Sequence, residues 1–367
     1  MNNIVIFGAA SIGLKLKRDL ELKGSHVSYF CDNNVKKCGC KLDGIDVISF
    51  DEIIPKYKNG DVESIIIAVK QPDGIVEQIR ESHIGIKTYG LTCEYIYEDK
   101  SDIQQLQDFV FPIDVNKPRL DYFEYHVSYH CNLKCKGCGH YSNIAPKEFG
   151  NFDNYKKDIH RLKELFWGVK TIRLMGGEPL LNPNLLDFCR VTRENFPDAD
   201  IRVVTNGLLI PSINVEILAA MKESYIGFDI TQYPPTSELK EKIELRCLEN
   251  GVLYVMSTQV KQFFRVVYSE GDSDKKEQYE KCLSKRCHIL DNGKISLCGI
   301  PILNKKYKDI IGTNAPVLEQ DIVDIYDNSL DGFVLNDILS KPIESCKYCD
   351  IEHIEWFEWC GNYTTLI

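Results

Sequence analysis

No apolar run in this sequence approaches the ~20 residues that a membrane-spanning helix needs, and there is no low-complexity tract or internal repeat. Basic excess is lacking as well. With 44 Lys and Arg against 54 Asp and Glu, the formal charge is −10. That argues against a nucleic-acid or anionic-membrane partner, because phosphate binding draws on clustered cations. The opening residues MNNIVIFGAA carry neither a basic leader nor a small-residue cleavage site, so the expectation is a cytoplasmic protein. Cysteine, by contrast, is abundant. There are 15, an odd number that rules out complete pairing within one chain. In a reducing compartment such clusters point to metal before disulfides.

At 367 residues the chain can hold two or three cores. Through residues 1–98, short β-branched stretches (NIVIFG, HVSYFCD, SIIIAVK) alternate with amphipathic ones (SIGLKLKRDLELKG). This alternation predicts a parallel sheet with helices on both faces. Residues 99–120 read as an acidic, proline-bearing linker. A second alternating region follows over 121–275, with strands EYHVSYH, TIRLMGG, IRVVTNG, IGFDIT and LYVMST. Several end in polar or glycine-rich residues, where a β/α barrel gathers its active site. Residues 276–367 break into short cysteine-rich pieces with little apolar material, a region expected to need metal to hold it. The expected class is α/β: an N-terminal Rossmann-like parallel sheet, a central partial barrel and a small C-terminal domain.

The stretch CNLKCKGC places Cys131, Cys135 and Cys138 within eight residues at the mouth of the first barrel strand. Three sulfurs suit a disulfide knot, a zinc site, or a [4Fe–4S] cube with one iron left open. Structural zinc normally takes four protein ligands, whereas three thiolates hold three irons and leave the fourth for an exogenous ligand. The segment LMGGEP ends the second barrel strand.

C-x3-C-x2-C followed by GGEP resembles the radical S-adenosylmethionine (SAM) enzymes, and CNLKCKGCGHYSNIAP with GFDITQYPPT is similar to members found in polysaccharide gene clusters. The resemblance implies a partial (β/α)6 barrel in which Cys131, Cys135 and Cys138 bind the cluster and its open iron takes the methionine end of SAM. It also implies a flavodoxin- or ferredoxin-type electron donor and a sugar or nucleotide-sugar substrate that loses a hydrogen atom to a 5′-deoxyadenosyl radical. Gly176, Gly177 and Glu178 would meet the methionine end, while Thr205, Asn206, Asp229 and Thr231 would offer groups to the ribose. The residue before the third cysteine is usually aromatic in this family and here is Gly137, so His140 or Tyr141 would stand beside the adenine.

CHILDNGKISLC sets Cys287 and Cys298 around a hairpin whose turn, DNG, signals type I′. With Cys346 and Cys349 of CKYC, these residues resemble the twitch or SPASM-type auxiliary domain, which implies a second [4Fe–4S] cluster. A four-cysteine zinc site would use the same thiolates. Cys282 sits closer than Cys287 to the expected distance from Gly293, so the first ligand is either one. Cys282 and Cys360 would then be candidates to return a hydrogen atom to a substrate radical, giving an epimer; electron transfer to the auxiliary cluster would give an oxidised product. An enzyme maturing a ribosomally made peptide is the alternative.

In VIFGAASIG, Gly8 and Gly13 hold the outer positions of a G-x-G-x-x-G loop whose middle position is Ala10, and Asp32 ends the next strand. The segment looks like the small Rossmann-like domain attached to bacterial sugar acetyltransferases. That likeness implies Gly8, Ser11, Gly13 and Asp32 on a nucleotide's phosphate or ribose; a docking or dimerising role is the other reading.

Overall fold

The computed structural model describes residues 3–97, 103–265, 267, 270–311 and 317–362. Its contacts separate two compact units, divided between Arg119 and Leu120. Among the described residues no helix is long and apolar enough to cross a membrane.

The first unit is a seven-stranded sheet built from β1 (Ile4–Phe7), β2 (Val27–Cys31), β3 (Lys41–Leu42), β4 (Ile45–Ile48), β5 (Ser64–Ile67), β6 (Lys87–Leu91) and β7 (Val110–Ile113). Their order is β3-β4-β2-β1-β5-β6-β7. The inner pairs are parallel, as the alternating sequence predicts. Wholly buried runs such as Ile4–Phe7 and Ser64–Ile67 have no polar face, as in strands covered on both sides by crossover helices.

The linker expected over 99–120 is only partly found. Residues 98–102 lie outside the described residues, and Val110–Ile113 is β7, antiparallel to β6. Leu106, Phe109 and Val110 pack on the first unit's core. Pro112, which reads as a linker signal, sits on an edge strand, where its missing N–H breaks no ladder bond.

The second unit contains β8 (Arg119–Ser128), β9 (Gly168–Gly176), β10 (Asp200–Thr205), β11 (Gly227–Ile230), β12 (Tyr254–Met256), β13 (Gln262–Arg265), β14 (Ile289–Asp291), β15 (Lys294–Ser296), β16 (Val323–Asp324) and β17 (Glu355–Glu358). Eight form one sheet ordered β12-β11-β10-β9-β8-β14-β15-β16; β13 and β17 pair separately. The pairs β9–β10, β10–β11, β11–β12 and β8–β14 are parallel. Alternation divides this sheet by face. Phe123, Tyr125, Val127, Ile172, Leu174, Ile201, Val203, Phe228 and Ile230 pack into one core with the helices. Tyr122, Glu124, His126, Arg173 and Asp229, at the intervening positions, share the opposite, interior face.

The sequence boundary at 276 also shifts. The hairpin β14–β15 turns at Asn292 and Gly293 with positive φ at both, as a type I′ turn requires. It does not belong to a detached domain: β14 extends the barrel sheet beside β8, pairing Ile289 with Glu124. Buried Leu290 and Ile295 join the barrel's own core, which explains the attachment.

Candidate active site

The three-cysteine loop leaves the carboxyl end of β8, and N–H donors point at two of its sulfurs. Leu133 N donates to Cys131 Sγ at 3.3 Å, with Asn206 Nδ2 at 3.6 Å. The indole N–H of Trp359 donates to Cys135 Sγ at 3.3 Å. Burial pushes the Cys131 thiol up to about 11 and Cys135 up to about 12. A cation bound there would reverse that cost, since a coordinated thiol is deprotonated outright. The loop is also strapped from outside. Lys134 N donates to Gly361 O (2.7 Å) and Lys136 N to Cys360 O (2.9 Å), so the C-terminal segment runs alongside it.

Gly176 and Gly177 make their close approach to the chain itself. A Cβ on Gly177 would stand 2.0 Å from His130 O, and one on Gly176, where φ is +118°, 2.1 Å from Ser128 O. Glycine at these positions is what lets the end of β9 run against the root of the cysteine loop. Glu178 is fully buried and ties its own turn to the end of β10: it accepts from Thr205 Oγ1 (2.6 Å), Asn206 N (2.9 Å) and Leu180 N (3.0 Å). Burial pushes its carboxyl up to about 7 despite these hydrogen bonds. Thr205 and Glu178 thus serve each other, whereas Asn206 also reaches Asn132 Oδ1 at 2.7 Å. Of the sequence-selected set, Glu178, Thr205, Asn206 and Cys131 form one connected group.

Asp229 lies on the interior face, 3.7 Å from Arg173 Nε. Thr231 follows β11, its N–H bonded to Thr205 O. Tyr141 differs from expectation: its hydroxyl donates to Asn304 Oδ1 (2.8 Å) and its ring packs with Tyr129, Ala145, Ile302 and Tyr307. A left-handed backbone at Tyr141 (φ 55°) turns the side chain into that cluster. His140 reaches His126 instead, Nδ1 to Nε2 at 3.0 Å. Tyr233 is a further aromatic group beside the cysteines, and it stacks on Trp359 at 5.7 Å and 23°. Burial and the neighbouring thiols of Cys135, Cys138 and Cys131 raise its phenol. The signal that would have found it is the QYPP turn directly after β11.

The second cysteine set gathers from three places. Cys282 follows the helix Lys275–Lys281, Cys298 precedes the helix Gly299–Lys306, and Cys346 and Cys349 belong to a turn around Glu344–Tyr348. Gln278 accepts from Ile351 N (2.9 Å), and Lys275 pairs with Glu344, joining the first helix to that turn. Burial, with the thiols of Cys349, Cys346 and Cys282, raises Cys298. Cys287 is the outlier: burial, Glu124 and then Cys282 push it up to about 11. Of the two candidates the sequence leaves open, Cys282 lies near Cys298, Cys346 and Cys349, and Cys287 lies near the interior carboxylate of Glu124. Five residues separate them, and the chain reverses between, with Cys287 N bonded to Ser284 O. Cys360 stands apart from this set, exposed beside the first loop.

In the first unit the glycine loop is closed on itself. Ser11 opens the helix Ser11–Leu22, and Gly13 packs so tightly that a Cβ would lie 2.0 Å from Gly8 O. Asp32 accepts from Ala9 N (3.0 Å), Asn34 N (2.9 Å) and Lys37 Nζ (2.7 Å). Partial burial opposes its ionisation, but Lys37 and the two backbone donors outweigh it and hold the carboxyl below its ordinary range. The acid expected at a ribose is bound to its own loop.

Residues 125–256 match the family model described as the radical SAM superfamily. GTP 3′,8-cyclase from Sulfurovum sp. is 25% identical over 188 residues, covering 48% of this chain and 56% of that protein. The Campylobacter lari enzyme of the same name is 27% identical over 164 residues, 42% of this chain and 49% of its own. The chain spans about half the length of the curated relatives it matches. A solved structure, BtrN in complex with AdoMet and 2-DOIA, aligns at 21% identity over 64% of this chain and 95% of its own, with a TM-score of 0.40. The family match runs from the strand that carries the three-cysteine loop through the fifth barrel strand, so residues 125–256 form a radical SAM domain.

Proposed function

We propose that this radical SAM enzyme removes a hydrogen atom from a carbohydrate, a nucleotide-sugar or glycan precursor, and that its product is an epimer or an oxidised sugar. The observation that carries the reading is the loop of Cys131, Cys135 and Cys138 over the braced ends of β9 and β10, facing a polar barrel interior. When bound, a [4Fe–4S] cluster on these three thiolates and SAM on its open iron supply a 5′-deoxyadenosyl radical. Leu133 N–H and the Trp359 indole orient and partly neutralise the sulfurs. Glu178 holds Thr205 and Asn206 in register, so that the strand ends present their remaining polar groups to the ligand. Tyr233 offers the flat surface expected beside an adenine.

Cys282, Cys298, Cys346 and Cys349 fit a second cluster. A structural zinc ion would use the same four thiolates. Tyr122, Glu124, His126, Arg173 and Asp229 line an interior that suits hydroxyl-rich substrates through hydrogen bonds. Cys287, next to Glu124, replaces Cys282 as a candidate hydrogen-atom donor alongside Cys360. The first unit would serve as a nucleotide-sugar or docking module.

The test is anaerobic incubation of the iron-reconstituted chain with SAM, a reductant and UDP- or dTDP-sugars in deuterated water. The reading expects 5′-deoxyadenosine with either deuterium incorporated and no other mass change, or loss of two hydrogens. Turnover that survives Cys135→Ala would overturn it, and modification of a co-encoded precursor peptide in place of any sugar would overturn the substrate class.

A further inference from the structure

Glu124, His126 and His140 meet on the interior side of β8 and belong to neither cysteine set. We propose that they form a binding site for one divalent transition-metal ion inside the barrel. One ligand atom from each lies within 4.8 Å of the other two. His126 Nε2 and His140 Nδ1 are 3.0 Å apart. Two neighbouring ligands at right angles on bonds of ~2.1 Å stand about 3.0 Å apart, so the pair already has the spacing of a shared ion.

The support around the three residues is that of a prepared site. Glu124 and His126 are two apart on one strand, so both project to the same face. Glu124 N is tied to His288 O at 2.8 Å across β14. The Tyr122 hydroxyl donates to Glu124 Oε2 at 2.8 Å, fixing the carboxylate and leaving lone pairs for an ion. Gly176 leaves the space the His126 ring occupies: a Cβ there would lie 3.0 Å from the ring's Cγ. Lys306, which lies near His126, is paired with Glu148 at 3.2 Å.

A plain hydrogen bond between the imidazoles is the simpler reading, and it leaves costs. Glu124 and His126 are 4% and 1% exposed, and His126 Nδ1 has no hydrogen-bond partner. Buried polar groups left this poorly paired are expensive. No outside partner fixes the His126 tautomer, so Nε2 is free to present its lone pair towards His140. Two imidazoles and one carboxylate suit Zn2+, Fe2+, Mn2+ or Co2+, whereas Ca2+ and Mg2+ prefer oxygen shells.

The test uses the full chain, anaerobically reconstituted so that iron fills the cysteine sets, dialysed against Zn2+ alone and assayed for zinc and iron by mass spectrometry. The expected result is one zinc per chain at micromolar free Zn2+. Glu124→Gln and His140→Asn should each weaken binding at least tenfold with iron content unchanged. Tyr122→Phe should weaken it by about tenfold, the lower end for loss of an outer-shell partner. The proposal is overturned if the parent chain retains no zinc, or if the two ligand variants retain it equally. Should those variants also lose iron, the milder Tyr122→Phe decides, and an unchanged affinity there sinks the proposal.

Discussion

Replacing Trp359 with phenylalanine removes one hydrogen-bond donor from Cys135 while keeping an aromatic ring to stack on Tyr233. The indole N–H is 3.3 Å from Cys135 Sγ. The strap that carries it is held through backbone bonds to Lys134 and Lys136, which the substitution leaves in place. A hydrogen bond to a charged group contributes ~1.5–3 kcal/mol. It stabilises the more electron-rich reduced cluster more than the oxidised one, so hydrogen bonds to cluster sulfurs raise the potential. If about 1 kcal/mol of that is differential, the potential falls by roughly 40 mV, since a tenfold change in a one-electron equilibrium is 59 mV. The assay is an EPR-monitored redox titration in a Cys346→Ala/Cys349→Ala background, which leaves the first cluster alone to titrate. An unchanged or raised potential at full iron occupancy would refute the assignment of Cys135 and its donor.

Three other outcomes are expected. Cys282→Ala should lower iron by about four atoms per chain, while Cys287→Ala leaves iron unchanged; the reverse would make Cys287 the fourth ligand. Gly177→Ala drives a methyl into His130 O, 2.0 Å away, and should cost more than ~3 kcal/mol, at the upper end for overpacking, seen as a lowered denaturant midpoint or insoluble chain. Glu178, whose carboxyl is raised to about 7 in the folded chain, binds its proton more tightly folded than unfolded. Its contribution is therefore fully present below about pH 4.5 and is lost as pH rises through 7. Chemical denaturation of the apo chain at stepped pH should show stability falling over that window, and Glu178→Gln should flatten the slope.

The radical SAM core was legible because its chemistry is local. Three thiols within eight residues must share one loop, and GGEP must follow one strand, so spacing alone locates them. Strand–helix alternation likewise predicted the parallel runs of both sheets, because buried strands read as apolar stretches wherever they occur. Position 112 misled, since proline's cost depends on whether its strand lies at an edge, and that is a property of the finished sheet. Cys282 and Cys287 could not be told apart by counting, because the turn between them decides which thiol faces Cys298 and which faces Glu124.

By itself the sequence determined the three-cysteine loop, the glycine–glutamate turn and the α/β class, all set by residues adjacent in the chain. Only tertiary structure decided that Glu178 braces Thr205 and Asn206, that Trp359 reaches Cys135 across 224 residues, and that His140 returns to His126. These contacts join segments whose separation along the chain carries no signal in a single sequence.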